Sequence, residues 1–326
     1  MEEQKYLFEI LKTKIPSQYR MPDVLEDLLG VGKNAVYCRI RGETELSFSE
    51  LLTICRTYNL SMDEIFNMTS NQGALFRYAP VNFTEPGSYI NYLHRLSGSL
   101  AYYKSAKEIE MRITAQDIPF FYFLVYPDLM FFKLYAWNDT VSRASVSFEK
   151  FCSNLDQKTI IPIYREMANA WQLIPSKEIW TDQTMDTILR LLEYYFEIGA
   201  FEKKETALSL TLRLTELMND IKKNVDKGYK GNQTPFQLYL CSVDFENNFM
   251  LIKREGNISC TIRLFTVNSM VTEQKGLCAE TEKWIDDLIL KSNLISGTSA
   301  KERTRFFNTS SNKIDTLIEK ISKMKT

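Results

Sequence analysis

Through the first 66 residues apolar positions recur every three or four, and turn-forming residues cut the pattern into short pieces. That spacing puts the apolar set on one face of a helix. Glu3 to Lys14 carries Tyr6, Leu7, Ile10 and Leu11 inward, and Pro16 ends it. Val24, Leu25, Leu28 and Leu29 form the stripe of a second helix, with Pro22 in its first turn, where proline's missing N–H costs nothing. Gly30-Val31-Gly32 reads as a turn, because Gly30 can take the left-handed backbone that closes a helix without a Cβ penalty. Lys33 to Arg41 follows, with Val36 and Ile40 inward and Gly42 as its cap. Ser47 to Tyr58 is the fourth, with Phe48, Leu51, Leu52, Ile54 and Cys55 inward and the capping box Ser47-x-x-Glu50 at its start. The same box from Ser61 to Glu64 opens a fifth short helix that ends near Phe66.

The polar run from Asn67 to Gly73 reads as a linker. Beyond it, Tyr89 to Tyr103 repeats at helical spacing, and Glu108 to Thr114 alternates, as an exposed strand or the end of a helix. Phe120 to Trp137 holds nine aromatics in eighteen positions. A helical hairpin core split at Pro127 accounts for them more simply than a pocket for a flat ligand does, because aromatics dominate cores. Tyr164 to Trp171 reads as helix, and Pro175-Ser176-Lys177-Glu178 as a turn feeding a short segment that ends at Trp180. Thr181 to Ile198 and Lys203 to Lys227 are the strongest helices, stopped by Gly199 and Gly228 and expected to pair antiparallel. From Phe236 the pattern turns to alternation, with a hairpin signal at Glu255-Gly256-Asn257. Three helices then follow, at Ala279 to Leu290, Ser299 to Phe307 and Ile314 to Ile321. The expected fold is mostly α and multi-domain: a five-helix unit over 1–68, a helical bundle over 69–230 suited to dimerisation, and a small α+β domain over 231–326.

Composition narrows the chemistry. The chain has 326 residues, 40 Lys and Arg, 41 Asp and Glu, and a net charge of −1, so no global field draws polyanions to it. The first 68 residues are slightly acidic, with 8 basic and 11 acidic side chains. The six cysteines are scattered without a CxxC pair and His94 is the one histidine, which points to reduced thiols and no metal centre. No GxGxxG or GxxxxGK[ST] occurs and no cofactor is expected. The acidic, amphipathic start has no signal-peptide pattern, and the most apolar window, Pro119 to Trp137, is broken well short of the roughly 20 residues a membrane helix needs. A cytoplasmic chain without a membrane partner is expected.

The stretch from Val24 to Gly42 resembles the Cro/C1-type (lambda-repressor-like, XRE) helix-turn-helix family. Leu25, Leu29-Gly30-Val31, Val36, Gly42, Leu46-Ser47 and Leu60 to Ile65 carry the likeness. Glu26 departs from the family's small alanine, and Arg39-Ile40 reverses its usual apolar-then-polar order. The resemblance covers about one-fifth of the chain and implies a regulator that binds double-stranded DNA. A recognition helix puts its N-terminal residues on base edges in the major groove. Those residues are Gly32, Lys33 and Asn34, with Tyr37 and Cys38 one turn later. Asn pairs with adenine and Lys donates to guanine. Arg39 and Arg41 are expected on phosphates, and so are Thr44 and Ser47 at the next helix start. A homodimer is expected, since paired recognition helices match symmetric sites.

Near the C-terminus a hydroxyl-rich loop runs into a helix start, where Ser299, Lys301, Arg303 and Arg305 form a candidate anion site. A capped helix with a solvated basic face explains the same residues. The order of segments behind the first domain, Asp117 to Trp137, Ile174 to Trp180, Glu193 to Phe201 and Lys291 to Asn308, resembles a group of bacterial helix-turn-helix regulators with a large C-terminal region of unassigned function. That likeness names no effector. Two other functions stay open: a scaffold that uses the first domain on protein, and an enzyme with a DNA-targeting head. No catalytic triad or paired-carboxylate motif supports the latter.

Overall fold

A computed structural model describes the chain except residues 1, 16–18, 59, 61, 63–72, 79, 83–84, 86, 143–145, 246–247, 265–267 and 325–326. The fifth short helix and most of the expected linker lie outside the described residues. The chain forms two compact units, Met1–Leu75 and Phe76–Thr326.

In the first unit the described helices are α1 (Glu2–Lys14), α2 (Met21–Leu29), α3 (Lys33–Arg41) and α4 (Phe48–Thr57). α2 packs on α3 and α4, and α1 packs on α3. Leu7, Phe8, Leu11, Leu25, Val36, Ile54 and Cys55 form the centre of the core. Two residues expected inside are outside. Tyr6 is exposed because the buried stripe of α1 is Leu7, Phe8, Leu11 and Ile15, centred later in the helix. Phe48 is 68% exposed, because it opens α4 ahead of the turn that carries Ile54 and Cys55 to the core.

The second unit is built on a mixed nine-stranded sheet. β1 (Arg77–Tyr78) lies at one edge, followed by β8 (Ser269–Thr272), β7 (Asn257–Arg263), β6 (Phe249–Arg254), β2 (Ile109–Ala115), β3 (Ser176–Trp180), β5 (Thr234–Cys241) and β4 (Tyr229–Lys230), while β9 (Ser292–Leu294) also pairs β5. β2, β3 and β5 run parallel, with Met111 opposite Ser176 and Ser176 opposite Phe236. Parallel strands need long crossovers, usually helical. Here α5 (Ser88–Lys104) precedes β2. Helices α6 (Phe120–Phe123), α7 (Pro127–Ser142), α8 (Phe148–Ser153) and α9 (Gln157–Trp171) lie between β2 and β3. α10 (Asp186–Glu197) and α11 (Lys204–Lys227) join β3 to the β4–β5 region. Their apolar faces and the 24-residue α13 (Ala300–Lys323) form the large core with Met111, Ile113, Trp180, Phe236 and Leu238 of the sheet. α12 (Lys275–Leu290) packs with Ile179, Leu251 and Cys260 in a separate cluster, so the central strands are buried on both faces.

Several expectations change. The boundary near 230 falls inside one sheet, because β2 and β3 pair with β5 and β6. Glu108 to Thr114 is a central strand, with Met111 to Ala115 buried, and Ser176 to Glu178, expected as a turn, belong to β3, where they pair with β2 and β5. The two C-terminal helices are one; α11 meets α10, as expected, but packs more extensively along α13, which also meets α10. Other expectations hold. The aromatic block splits at Pro127, the hairpin turn at Glu255-Gly256 forms with φ of 47° and 80°, and Gly199 and Gly228 are left-handed. Among the described residues no helix is long and apolar enough to cross a membrane, and all six cysteines are free thiols.

A buried polar network sits under β3. The Glu178 carboxylate accepts from Tyr122 Oη and Trp180 Nε1, both at 3.0 Å, and from Ser176 Oγ. Lys230 Nζ donates to Ser176 Oγ at 2.9 Å and stands 3.8 Å from the centre of the Trp171 ring. Burial pulls the Lys230 ammonium down, opposed by Glu178, and pushes Glu178 up, opposed by Lys230. Ser176 Oγ stands between the two charges, and removing the carboxylate leaves Tyr122, Trp180 and Lys230 without the group they face. Glu178→Gln should therefore lower the unfolding free energy of the second unit by about 1–3 kcal/mol, the cost of buried polar groups left unsatisfied. Adding Lys230→Met should recover part of the loss. Urea unfolding followed by tryptophan fluorescence measures both.

Candidate nucleic-acid interface

The front of α3 is set by two glycines with different backbones. Gly30 is left-handed (φ 62°, ψ 30°), and its N–H donates to Glu26 O at 3.0 Å. Gly32 is extended (φ −64°, ψ 154°), and its carbonyl accepts the Val36 N–H. No side chain caps α3 and no acid sits in its first turn, so the positive end of the helix is uncompensated by its own residues. Gly32, Lys33 and Asn34 are exposed, Tyr37 and Cys38 are half-buried, and Val36 is fully buried on the opposite side.

The rear of α3 is held more elaborately. Gly42 is left-handed (φ 76°); its N–H donates to Arg39 O, and the Glu43 N–H donates to Cys38 O. Gln4, on α1, donates through Nε2 to Arg39 O at 2.7 Å and to Thr44 O at 2.9 Å, while its Oε1 accepts the Leu46 N–H at 2.9 Å. One side chain thus ties α1, the end of α3 and the segment entering α4. Ser47 and Glu50 form the expected capping box. Glu50 also binds Arg39 Nη2 at 2.9 Å, with both side chains mostly buried, and Arg39 Nη1 donates to Ala35 O. This corrects the role expected for Arg39. It joins α3 to α4 and is not turned out towards a phosphate.

The other two cations are exposed but paired. Lys33 binds Asp23 of α2, which raises the Lys33 pKa and lowers that of Asp23. Arg41 grips both oxygens of Glu43, at 2.6 and 2.8 Å, and with Cys38 it draws the Glu43 carboxyl down to about 2. Asn34 has no side-chain partner among the described residues. Solvent screens exposed ion pairs and leaves them weak, so an incoming phosphate can displace Asp23 or Glu43 at small cost. Gln4, Asp23 and Glu43 are the residues that sequence reading missed. Glu43 is two positions from Arg41, but Asp23 reaches Lys33 from the preceding helix, and Gln4 reaches its partners across 35 to 42 residues and leaves no local signal.

The C-terminal residues do not assemble as an anion site. Ser299 is itself left-handed (φ 52°) and caps nothing with its side chain, so no capping box forms with Glu302. Arg303 is spent on the carbonyls of Ile295 and Thr298 and on Asp226. Lys301 and Arg305 are exposed. His94 is exposed on α5, and among the described residues no group of three His, Cys, Asp or Glu is placed to hold a metal. No protein-family model matches the chain, and no curated protein or solved structure matches it.

Partial burial pushes the Glu50 carboxyl up, but the Ser47 N–H and Arg39 outweigh it and hold it below its ordinary 4.5. A lowered carboxyl contributes stability that is fully present above the unfolded pKa and is lost as pH falls through the folded one. The stability gap between wild type and Glu50→Gln should therefore be widest near neutral pH and shrink in acid, below about pH 4.5. Amide hydrogen exchange in α3 and α4 across that range measures it.

Proposed function

We propose that the first unit binds double-stranded DNA as a helix-turn-helix, with the front of α3 in the major groove, and that the chain is a transcriptional regulator acting as a homodimer. The observation that carries this reading is the exposed, uncapped first turn of α3, presenting Gly32, Lys33 and Asn34 on a helix secured at both ends. Tyr37 and Cys38 extend the same contact by one turn. Asn34 is the residue for base contact, and Lys33 and Arg41 are the residues for guanine or phosphate. Thr44 and Ser47 remain as exposed hydroxyls beside the backbone contact. The second unit supplies pairing and the response to a small molecule.

A second reading has an observation of its own. Phe48 and Tyr6 are exposed and the cations of α3 are already neutralised, which suits a protein partner.

Gel shifts on duplexes from upstream of the gene separate the two. The DNA reading expects a shift at low salt with a shallow salt slope, because few phosphates are neutralised. Asn34→Ala should cost about 1–3 kcal/mol on the specific site. Asp23→Asn and Glu43→Gln, which free Lys33 and Arg41, should tighten binding. No shift with any fragment at low salt, or weaker binding by both freed-cation variants, would contradict DNA binding. Light scattering of the full chain at micromolar concentration should give the mass of two chains; a monomer counts against the dimer.

A further inference from the structure

A cavity of about 200 Å³ lies inside the second unit, between α5, α6 and α7 on one side and β2, β6, β7 and β8 on the other. Its walls are mostly apolar, with Leu96, Leu100, Met111, Phe121, Leu124 and Met250 among them. Its lining also holds three charged residues. Asp117 accepts from Lys133 Nζ at 2.9 Å and from Arg263 Nη2 at 2.5 Å. Asp117 and Lys133 are only 7% and 3% exposed, and Lys133 stands 4.8 Å from the centre of the Phe123 ring. The Arg263 side chain is 20% exposed and carries this cluster towards solvent.

Two cations share one carboxylate. Among the described residues Asp117 is the one acid that Lys133 and Arg263 bind, so this cluster of three carries one positive charge in excess when Lys133 is protonated. Burial already pulls the Lys133 ammonium down. An unanswered charge in a desolvated site is costly, and a bound counter-anion removes that cost. Ligand sites combine such an apolar cavity with a few placed polar groups. A dry cavity of about 150 Å³ accepts benzene, so this one has room for a ring with a short side arm or a chain of roughly eight carbons.

We propose that this cavity binds a small apolar molecule bearing one carboxylate, its head group at Lys133 and Arg263 and its body between α5 and the sheet. The site lies wholly within the second unit and stands whether or not the first unit binds DNA.

Calorimetry and thermal unfolding of the full chain test it with octanoate, octan-1-ol and octylamine, which share a chain and differ in head charge. Octanoate should bind saturably, one per chain, and raise the melting temperature. Octan-1-ol should bind about tenfold or more weakly, the loss of a charge-assisted contact, and octylamine should bind least. Lys133→Met and, separately, Arg263→Gln should bring octanoate towards the octan-1-ol affinity. Leu96→Trp, which fills the cavity, should abolish both. Circular dichroism establishes that each variant is folded, and the comparison of the three probes on the wild-type chain needs no variant. No octanoate binding at millimolar concentration, octylamine binding as tightly as octanoate, or undiminished octanoate binding by a folded Leu96→Trp chain would each overturn the proposal.

Discussion

A helix can be aimed at a partner only when both of its ends are fixed, and the first unit depends on that constraint. At the front of α3, Gly30 must be left-handed; an L-residue there pays roughly 1–2 kcal/mol for the same backbone. At the rear, Gly42 repeats the device, and three side chains reinforce it. Gln4 binds the last turn of α3 and the loop after it, while Arg39 and Glu50 fasten α3 to the capped start of α4. Val36 seats the middle of the helix in the core. Gly32 and Asn34 take no part in these contacts and stay exposed at the front of the helix.

The charge on that exposed side is arranged by the same unit. Lys33 and Arg41 each face a carboxylate supplied by the neighbouring helix or loop. Long-range attraction of a polyanion to such a surface is weak, because each cation and its acid cancel beyond a Debye length. Contact at short range is different: a phosphate oxygen can replace the carboxylate with little net loss. A surface of this kind discriminates through the few groups that meet bases rather than through total charge.

What was legible in the sequence was local. Gly30, Gly42 and the Ser47–Glu50 box declare themselves within four residues, and the structure places them as expected. What was not legible depends on partners far along the chain. Arg39 looked like a phosphate ligand because its acid, Glu50, sits on another helix. Lys230 lies in a polar, glycine-containing stretch, yet it is buried and donates to Ser176, whose hydroxyl reaches the Glu178 carboxylate. Glu178 in turn disguised β3, since a charged residue at the centre of a five-residue segment reads as a turn. The polar run around Ser310 looked like a break between two helices, but Ser310 is buried and its hydroxyl bonds back to Phe306 O, keeping α13 continuous. Lys133 looked like a mere interruption in an aromatic run, and it is one of the most buried charges in the second unit.

Cys38 offers the most direct measurement of the central claim, because it lies on α3 one turn behind Asn34 and is half-buried, whereas Cys55, Cys241, Cys260 and Cys278 are buried and Cys152 lies in the second unit. The rate of alkylation at Cys38 can be followed by mass spectrometry in the full chain, with and without saturating upstream duplex at low salt, using Cys152 as the internal reference. If α3 enters the groove, DNA slows modification of Cys38 and leaves Cys152 unchanged. An unchanged rate at Cys38 in the presence of saturating DNA would contradict the account.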